Sequence, residues 1–229
     1  MSTQESSWRR TTGILVLDTR LLGRVFTYMK FILGKKQQMT QVFDETGRVF
    51  PATIVSAGPV TVTQIKNGEK DGYEAIQVAF DTQKEKNLKK AQKGHFGELG
   101  AFKTIRELRT AIGETKKGDV IDVSMFEVGD KVEVSATTKG KGNQGVVKRH
   151  NFSGGPRSHG QKHSERRPGS IGSTGPQRVL KGLKMAGRMG GNRVTVKNLR
   201  VLQVDKDTNT LVISGAIPGR PGTLVEVRG

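Results

Sequence analysis

Residues Lys148 to Ser170 read KRHNFSGGPRSHGQKHSERRPGS, and how this stretch is understood decides the fold. It carries three of the chain's four histidines, six Lys and Arg, and a single acid, Glu165. Phe152 is its one large apolar side chain. A segment so poor in apolar groups cannot bury enough surface to fold around a core of its own. The depletion spreads outward: regular patterning fails from Lys139 to Gly191, and thirteen glycines fall in that interval. On either side the pattern turns strand-like at once. DKVEVSATT (Asp130–Thr138) precedes it, with Val132 and Val134 alternating with charge. NRVTVKNLRVLQV (Asn192–Val204) follows it, then the turn DKDTNT, LVISGAIPG and the closing run TLVEVRG. The basic segment is therefore an insertion anchored at both ends. Closing so long a loop carries an entropic cost that a terminal tail escapes, and long loops inside compact domains are usually functional.

Upstream, the pattern is mostly of period two. KFILGKKQQMTQVF (Lys30–Phe43), a turn at Asp44–Gly47, RVFPATIVSA (Arg48–Ala57), VTVTQIKN (Val60–Asn67), YEAIQVAF (Tyr73–Phe80) and DVIDVSMF (Asp119–Phe126) all read as strands. In VTVTQIKN, Val60, Val62 and Gln64 are expected on one face and Thr61, Thr63 and Ile65 on the other. Short β-rich runs punctuated by Gly, Asn and Asp argue for a barrel or a sandwich. Residues 84–112 differ, being rich in Lys and Glu with breaks at Gly94, Gly97 and Gly100. They are read as one or two short helices and a surface excursion. The division expected is a globular body over 29–138 and 192–229, with 84–112 inserted, and a basic extension over 139–191. Residues 1–28 are expected to be a poorly ordered extension or the product of an upstream start. Their arginines and short apolar core leave a transit peptide as the alternative.

Charge narrows the function. The chain carries 39 Lys and Arg against 21 Asp and Glu, a net +18. Thirteen of those cations and only one acid lie between Lys139 and Arg193, so +12 sits in about a quarter of the chain. A localised cationic segment points to a polyanionic partner. No apolar run is long enough to span a bilayer, and no basic amphipathic helix is evident for a membrane surface. With no cysteine, disulfides and thiolate metal sites are excluded.

Catalytic and metal motifs fail on inspection. Gly140-Lys-Gly-Asn-Gln-Gly145 matches G-x-G-x-x-G, but VVKRHNFSGGP after it cannot supply the long helix a dinucleotide fold needs. Gly155 to Lys162 resembles a phosphate loop with its lysine displaced. His159 and His163 are four apart, yet Gly160 and Pro168 oppose the helix that would let them chelate, and the surrounding cations repel a divalent ion. No metal, cofactor or small-molecule substrate is expected, and no enzyme activity.

RNA accounts for these residue types together. Lys and Arg neutralise phosphates, Arg adds a planar fork, and His150, Phe152, His159 and His163 offer flat faces to unstacked bases. No recognition helix is evident for a duplex major groove. The candidate RNA-binding residues are Lys35, Lys36, Lys139, Lys141, Lys148, Arg149, His150, Asn151, Phe152, Arg157, His159, Lys162, His163, Arg166, Arg167, Arg178, Lys181, Lys184, Arg188 and Arg193.

Several motifs in order carry a family resemblance: Gly34-Lys-Lys36 with Met39-Thr40, DGYEAIQVAF, Gly94-His-Phe96 and Arg106-Glu-Leu-Arg109. The central block is the most specific: TKGKGNQGVVKRHNFSGGPRSHG, HSERRPGSIG, RVLKGLKMAGRMGGNRVTVKNL and GAIPG. From about Met29 onward the chain resembles the large-subunit ribosomal protein L3 family of bacterial or organellar type. The resemblance implies a mainly β fold with some α: a translation-factor-like β-barrel, a small inserted α+β region and a long irregular extension that penetrates ribosomal RNA. It implies a structural role in the large subunit, entry early in assembly, neighbouring ribosomal proteins as partners, and an extension approaching the peptidyl-transferase centre with Lys148 to Phe152 in its tip region. The ribosome of the bacterial cytoplasm is the location expected, with an organellar ribosome as the alternative. A glutamine that is methylated in some members follows PGSIG; here STGPQRV follows, with Gln177 beyond Pro176, and the modification is not expected.

Overall fold

The computed structural model describes residues 30–109 and 115–229, so the expectation for residues 1–28 lies outside the described residues. In chain order the first half holds β1 (Phe31–Phe43), β2 (Val49–Ala57), β3 (Val60–Lys66), α1 (Gly68–Asp71), β4 (Ala75–Thr82), α2 (Lys90–Phe96), β5 (Phe102–Leu108) and β6 (Val120–Ile121). The second holds β7 (Lys131–Thr137), β8 (Asn143–Gln144), α3 (Val146–His150), β9 (Gly187–Arg188), β10 (Arg193–Asp205), β11 (Thr210–Ser214) and β12 (Leu224–Arg228).

Six of these strands close into an antiparallel barrel in the order β1-β12-β7-β10-β11-β2. Closure requires strands that bend, and the two 13-residue strands supply the bends. β1 shifts register against β2 between Lys36 and Met39, and β10 shifts against β7 between Val196 and Leu199. An extra residue in one strand increases the local twist and re-aims the chain, as sheet closure requires. Alternation then fills the interior: Ile32, Val55, Val132, Val134, Leu211, Ile213, Val225 and Val227 are all buried. TLVEVRG does close the sheet, since β12 pairs with both β1 and β7. The expected barrel with a small α+β insertion is the architecture found.

A second sheet, in the order β5-β4-β3-β6, lies between β2 and β7 in the chain and shares the barrel's core through Val60, Val62, Ile76, Val78, Phe80 and Leu108. α2 covers its other side, where Phe96 meets Phe102 edge-on with ring centroids 5.5 Å apart. Within residues 84–112 a short helix is present, but β5 is a strand where helix and loop were expected. It pairs with β4 along its length. The cause is its place at the sheet edge: only Phe102 and Leu108 are buried, while the exposed Lys103, Arg106 and Glu107 hide the alternation. DVIDVSMF pairs only at Val120–Ile121 before a 3₁₀ turn takes Val123 into the core. The facing expected for β3 also changes. A register shift between Val62 and Gln64 turns Thr63 inward, and its hydroxyl donates to Gln77 Oε1 at 2.8 Å.

On this inserted sheet Lys66, Tyr73 and Glu107 form a closed triangle. The Lys66 ammonium stands 2.9 Å from Glu107 Oε1 and donates to the Tyr73 hydroxyl at 2.8 Å, and that hydroxyl donates to Glu107 Oε2 at 2.8 Å. The Lys66 ammonium, then the Tyr73 hydroxyl, holds the Glu107 carboxyl below its ordinary value near 4.5. A depressed folded value contributes stability that is present above pH 4.5 and is lost as pH falls through the folded value. The urea midpoint of the wild type is therefore expected to fall on acidification below pH 4.5, and Glu107→Gln to flatten part of that fall. An identical acid limb in the variant would show that the triangle contributes nothing.

Candidate nucleic-acid interface

The basic segment leaves the barrel between β7 and β10 as an arm with a built root. Thr138 N–H donates to Asn192 C=O at 2.9 Å, Lys141 N–H to Met189 C=O at 2.9 Å, and Met189 N–H to Gly142 C=O at 2.9 Å. β8 and β9 continue this two-stranded stem. α3 follows immediately, capped by Asn151 in the left-handed conformation, with Val146 buried beneath it. Its last turn reaches back to the returning strand: Arg149 Nη1 donates to Met185 C=O at 2.7 Å, and His150 Nε2 lies 3.1 Å from the same oxygen.

These bonds move Lys148 to Phe152 from the expected tip region to the base of the arm, beside the stem. They also separate two roles within the candidate set. Arg149 and His150 hold the arm together, so replacing Arg149 would unmake the stem as well as remove a charge. Lys148 on the same turn is exposed and touches no acid.

From the root outward the other cations of the arm project into solvent. Lys139, Lys141, Lys162, Arg166, Arg167, Arg178, Lys181, Lys184 and Arg188 are exposed, and none lies within ion-pairing distance of an acid among the described residues. Arg157 pairs with Glu165 at 2.7 Å. Asn151 caps α3, Phe152 is half-buried 6.1 Å from the His150 ring, and His159 and His163 are exposed, both in the left-handed region. Among the described residues no three His, Cys, Asp or Glu side chains gather as a metal-binding group.

The two barrel lysines are engaged within the protein. Lys35 pairs with Asp81 at 2.7 Å. Lys36 is 8% exposed, and its ammonium donates to Ile217 C=O at 2.7 Å and Gly219 C=O at 3.2 Å. Burial, then the nearby charge of Lys139, pushes its pKa down. Its task is to tie β1 to the loop before β12. Its ammonium is committed to those two carbonyls. In sequence, a lysine beside Gly34 on a strand looks like any surface cation.

Arg193, where β10 receives the arm, is bound to Glu226, which also takes Arg106 at 3.1 Å and faces Arg228 at 3.8 Å. One nearly buried carboxylate thus joins the inserted sheet, the arm's root and the barrel. A second group of exposed cations outside the candidate set, Lys84, Lys86, Lys89, Lys90 and Lys93, is displayed around α2. The charge run was visible, but nothing in the sequence told that Phe96 would anchor it to a sheet.

A family model described as Ribosomal protein L3 matches residues 59–228. The chain belongs to the ribosomal protein L3 family. Relatives named large ribosomal subunit protein uL3 agree over nearly their whole length. That of Finegoldia magna is 48% identical over 204 residues, covering 87% of this chain and 97% of its own. That of Streptococcus mutans is 48% identical over 201 residues, covering 87% and 96%. That of Herpetosiphon aurantiacus is 46% identical over 199 residues, covering 86% and 94%. The L3 family consists of structural ribosomal proteins and not enzymes, and Gly145, the last glycine of the G-x-G-x-x-G match, stands here at the start of a five-residue helix.

Proposed function

We propose that this chain is a structural constituent of the large ribosomal subunit that binds large-subunit ribosomal RNA directly through its arm. The observation that carries the reading is the arm itself: a stem fixed to a rigid barrel, bearing exposed cations without acidic partners. Left alone, such charges repel one another; between converging RNA helices they cancel phosphate repulsion. The barrel fixes where the arm starts, and the stem fixes its direction. The lysines around α2 add a second cationic face for the same RNA. Neighbouring ribosomal proteins complete the surroundings, in the cytoplasm of a bacterial cell. We further infer that the protein enters early in subunit assembly, because an arm threaded through RNA must be in place before the RNA closes around it, and that the arm reaches toward the peptidyl-transferase centre.

Filter binding of the full chain to large-subunit ribosomal RNA and to duplex DNA of equal length, across a salt series, tests the direct contact. Preference for the RNA is expected, with an affinity that falls roughly a thousandfold between 50 and 200 mM salt. Equal affinity for the duplex, or indifference to salt, would overturn the proposal.

A further inference from the structure

Beyond the stem the arm closes on itself. Gly155 N–H donates to Glu165 C=O at 2.9 Å, and Arg157 Nε pairs with the Glu165 carboxylate at 2.7 Å. The strands approach so closely here that a Cβ on Gly154 would collide with the Glu165 carbonyl. Within the sealed loop, Ser164 donates its hydroxyl to Gln161 Oε1 at 2.6 Å, so the Gln161 NH₂ is left to donate elsewhere.

The closure creates two adjoining cavities of different chemistry. One, about 390 Å³ and open to solvent, is lined by Phe152, Pro156 and Pro168 together with Gln161, Ser164 and Arg167. The other, about 480 Å³, shares Pro156, Gln161, Ser164 and Arg167 with the first and adds Arg157, His163 and Arg166. Its one carboxylate, Glu165, is already held by Arg157.

We propose that this pair of cavities holds one unstacked nucleotide of an RNA chain, its base between Phe152 and the two prolines and its phosphate beside Arg166 and Arg167. The assignment rests on the RNA-binding reading above and adds a specific subsite to it. Each part has a physical counterpart in a nucleotide. A base needs flat apolar faces and hydrogen-bonding groups at its rim, which the first cavity provides. A phosphate needs planar guanidinium donors, which the second provides in Arg166 and Arg167, neither of which pairs with an acid. Both cavities fall in the roughly 300–1,000 Å³ range of small-ligand pockets. Two free guanidiniums suit a single phosphate of a chain better than a free di- or triphosphate, which would call for more.

The test uses the full chain and two RNA hairpins, one with a single bulged adenosine and one fully paired, at fixed salt. The wild type is expected to prefer the bulged hairpin by about tenfold, the scale of one base–aromatic stack. Phe152→Ala is expected to bring the preference close to one. Gln161→Met, at an exposed position, is expected to weaken it about threefold by removing the rim donor, the Ser164 hydroxyl turning to water while the Gly155–Glu165 and Arg157–Glu165 bonds keep the loop closed. Lys181→Gln with Lys184→Gln should lower affinity for both hairpins equally and keep the preference. Wild-type binding to both hairpins without discrimination overturns the subsite while leaving RNA binding intact; binding to neither overturns the RNA reading itself. A preference that survives both Phe152→Ala and Gln161→Met also overturns the subsite. Adenosine monophosphate offers the same base and phosphate, so it tests the source: if it raises the melting temperature while the wild type shows no preference between the hairpins, the ligand is a free nucleotide and the RNA assignment is wrong.

Discussion

Gly190→Ala is expected to remove the protein from assembled large subunits almost completely while leaving its barrel folded. Gly190 sits in the left-handed region at φ +75°, opposite the Lys139 carbonyl at the arm's root, and a Cβ there would collide with that oxygen. The left-handed conformation alone costs an alanine about 1–2 kcal/mol. The collision adds a displacement that only separation of the two root strands relieves. Separation breaks the paired bonds between Lys141 and Met189 and between Met189 and Gly142, and with them the direction in which the arm leaves the barrel. The barrel's core is distant from the change, and its melting temperature is expected to move by only a few degrees, since about 1 kcal/mol shifts a domain of this size by roughly 2–4 °C. Gly182→Ala is the control: Gly182 has φ +83° but nothing within 4 Å of the added Cβ. It carries the same backbone penalty without the collision and should still be incorporated. Sucrose-gradient separation of ribosomes from cells expressing each variant reads the difference. Normal incorporation of the Gly190 variant would show that the stem does not direct the arm.

The contrast between these two glycines shows where the sequence was informative and where it was not. Thirteen glycines in the segment announced a chain free to adopt unusual backbone, but not which of them faces another strand. That depends on a two-residue ribbon, β8 with β9, whose partners lie about forty residues apart and leave no periodic trace. The barrel was legible because its strands alternate over their length and are punctuated by turns, as in the β10–β11 hairpin across Asp205 to Thr210. β5 was hidden because an edge strand shows its charges to water, which is what an edge needs to avoid stray pairing. The arm's charge was legible without any fold, since composition survives ignorance of conformation. The assignment of each cation was not. Lys36 turns onto the loop before β12 to hold two carbonyls, Arg149 holds Met185, and Arg193 holds Glu226. Such uses depend on what lies across space, which no local pattern of residues encodes.

That division of labour decides which cations carry RNA affinity. Lys148, Lys162, Arg178, Lys181 and Lys184 are exposed, and their side chains make no hydrogen bond or ion pair with the described residues. Replacing all five with glutamine leaves the stem, α3 and the Glu226 cluster untouched. If each contacts a phosphate, each releases about 0.7–0.9 of a counterion on binding, so the slope of log affinity against log salt should fall by about four. At 0.15 M salt that corresponds to a loss on the order of a thousandfold, because the lost term grows as about the fourth power of dilution from 1 M. Lys36→Met should leave the slope unchanged, since its ammonium is held by two carbonyls of the loop before β12, and any effect should appear in stability. Arg149→Gln should weaken binding chiefly through the arm's lost shape, with a slope change of no more than about one. A five-fold variant whose slope matches the wild type would mean that the exposed cations merely keep the arm soluble, and that the contacts to RNA lie elsewhere, the lysines around α2 being the next to replace.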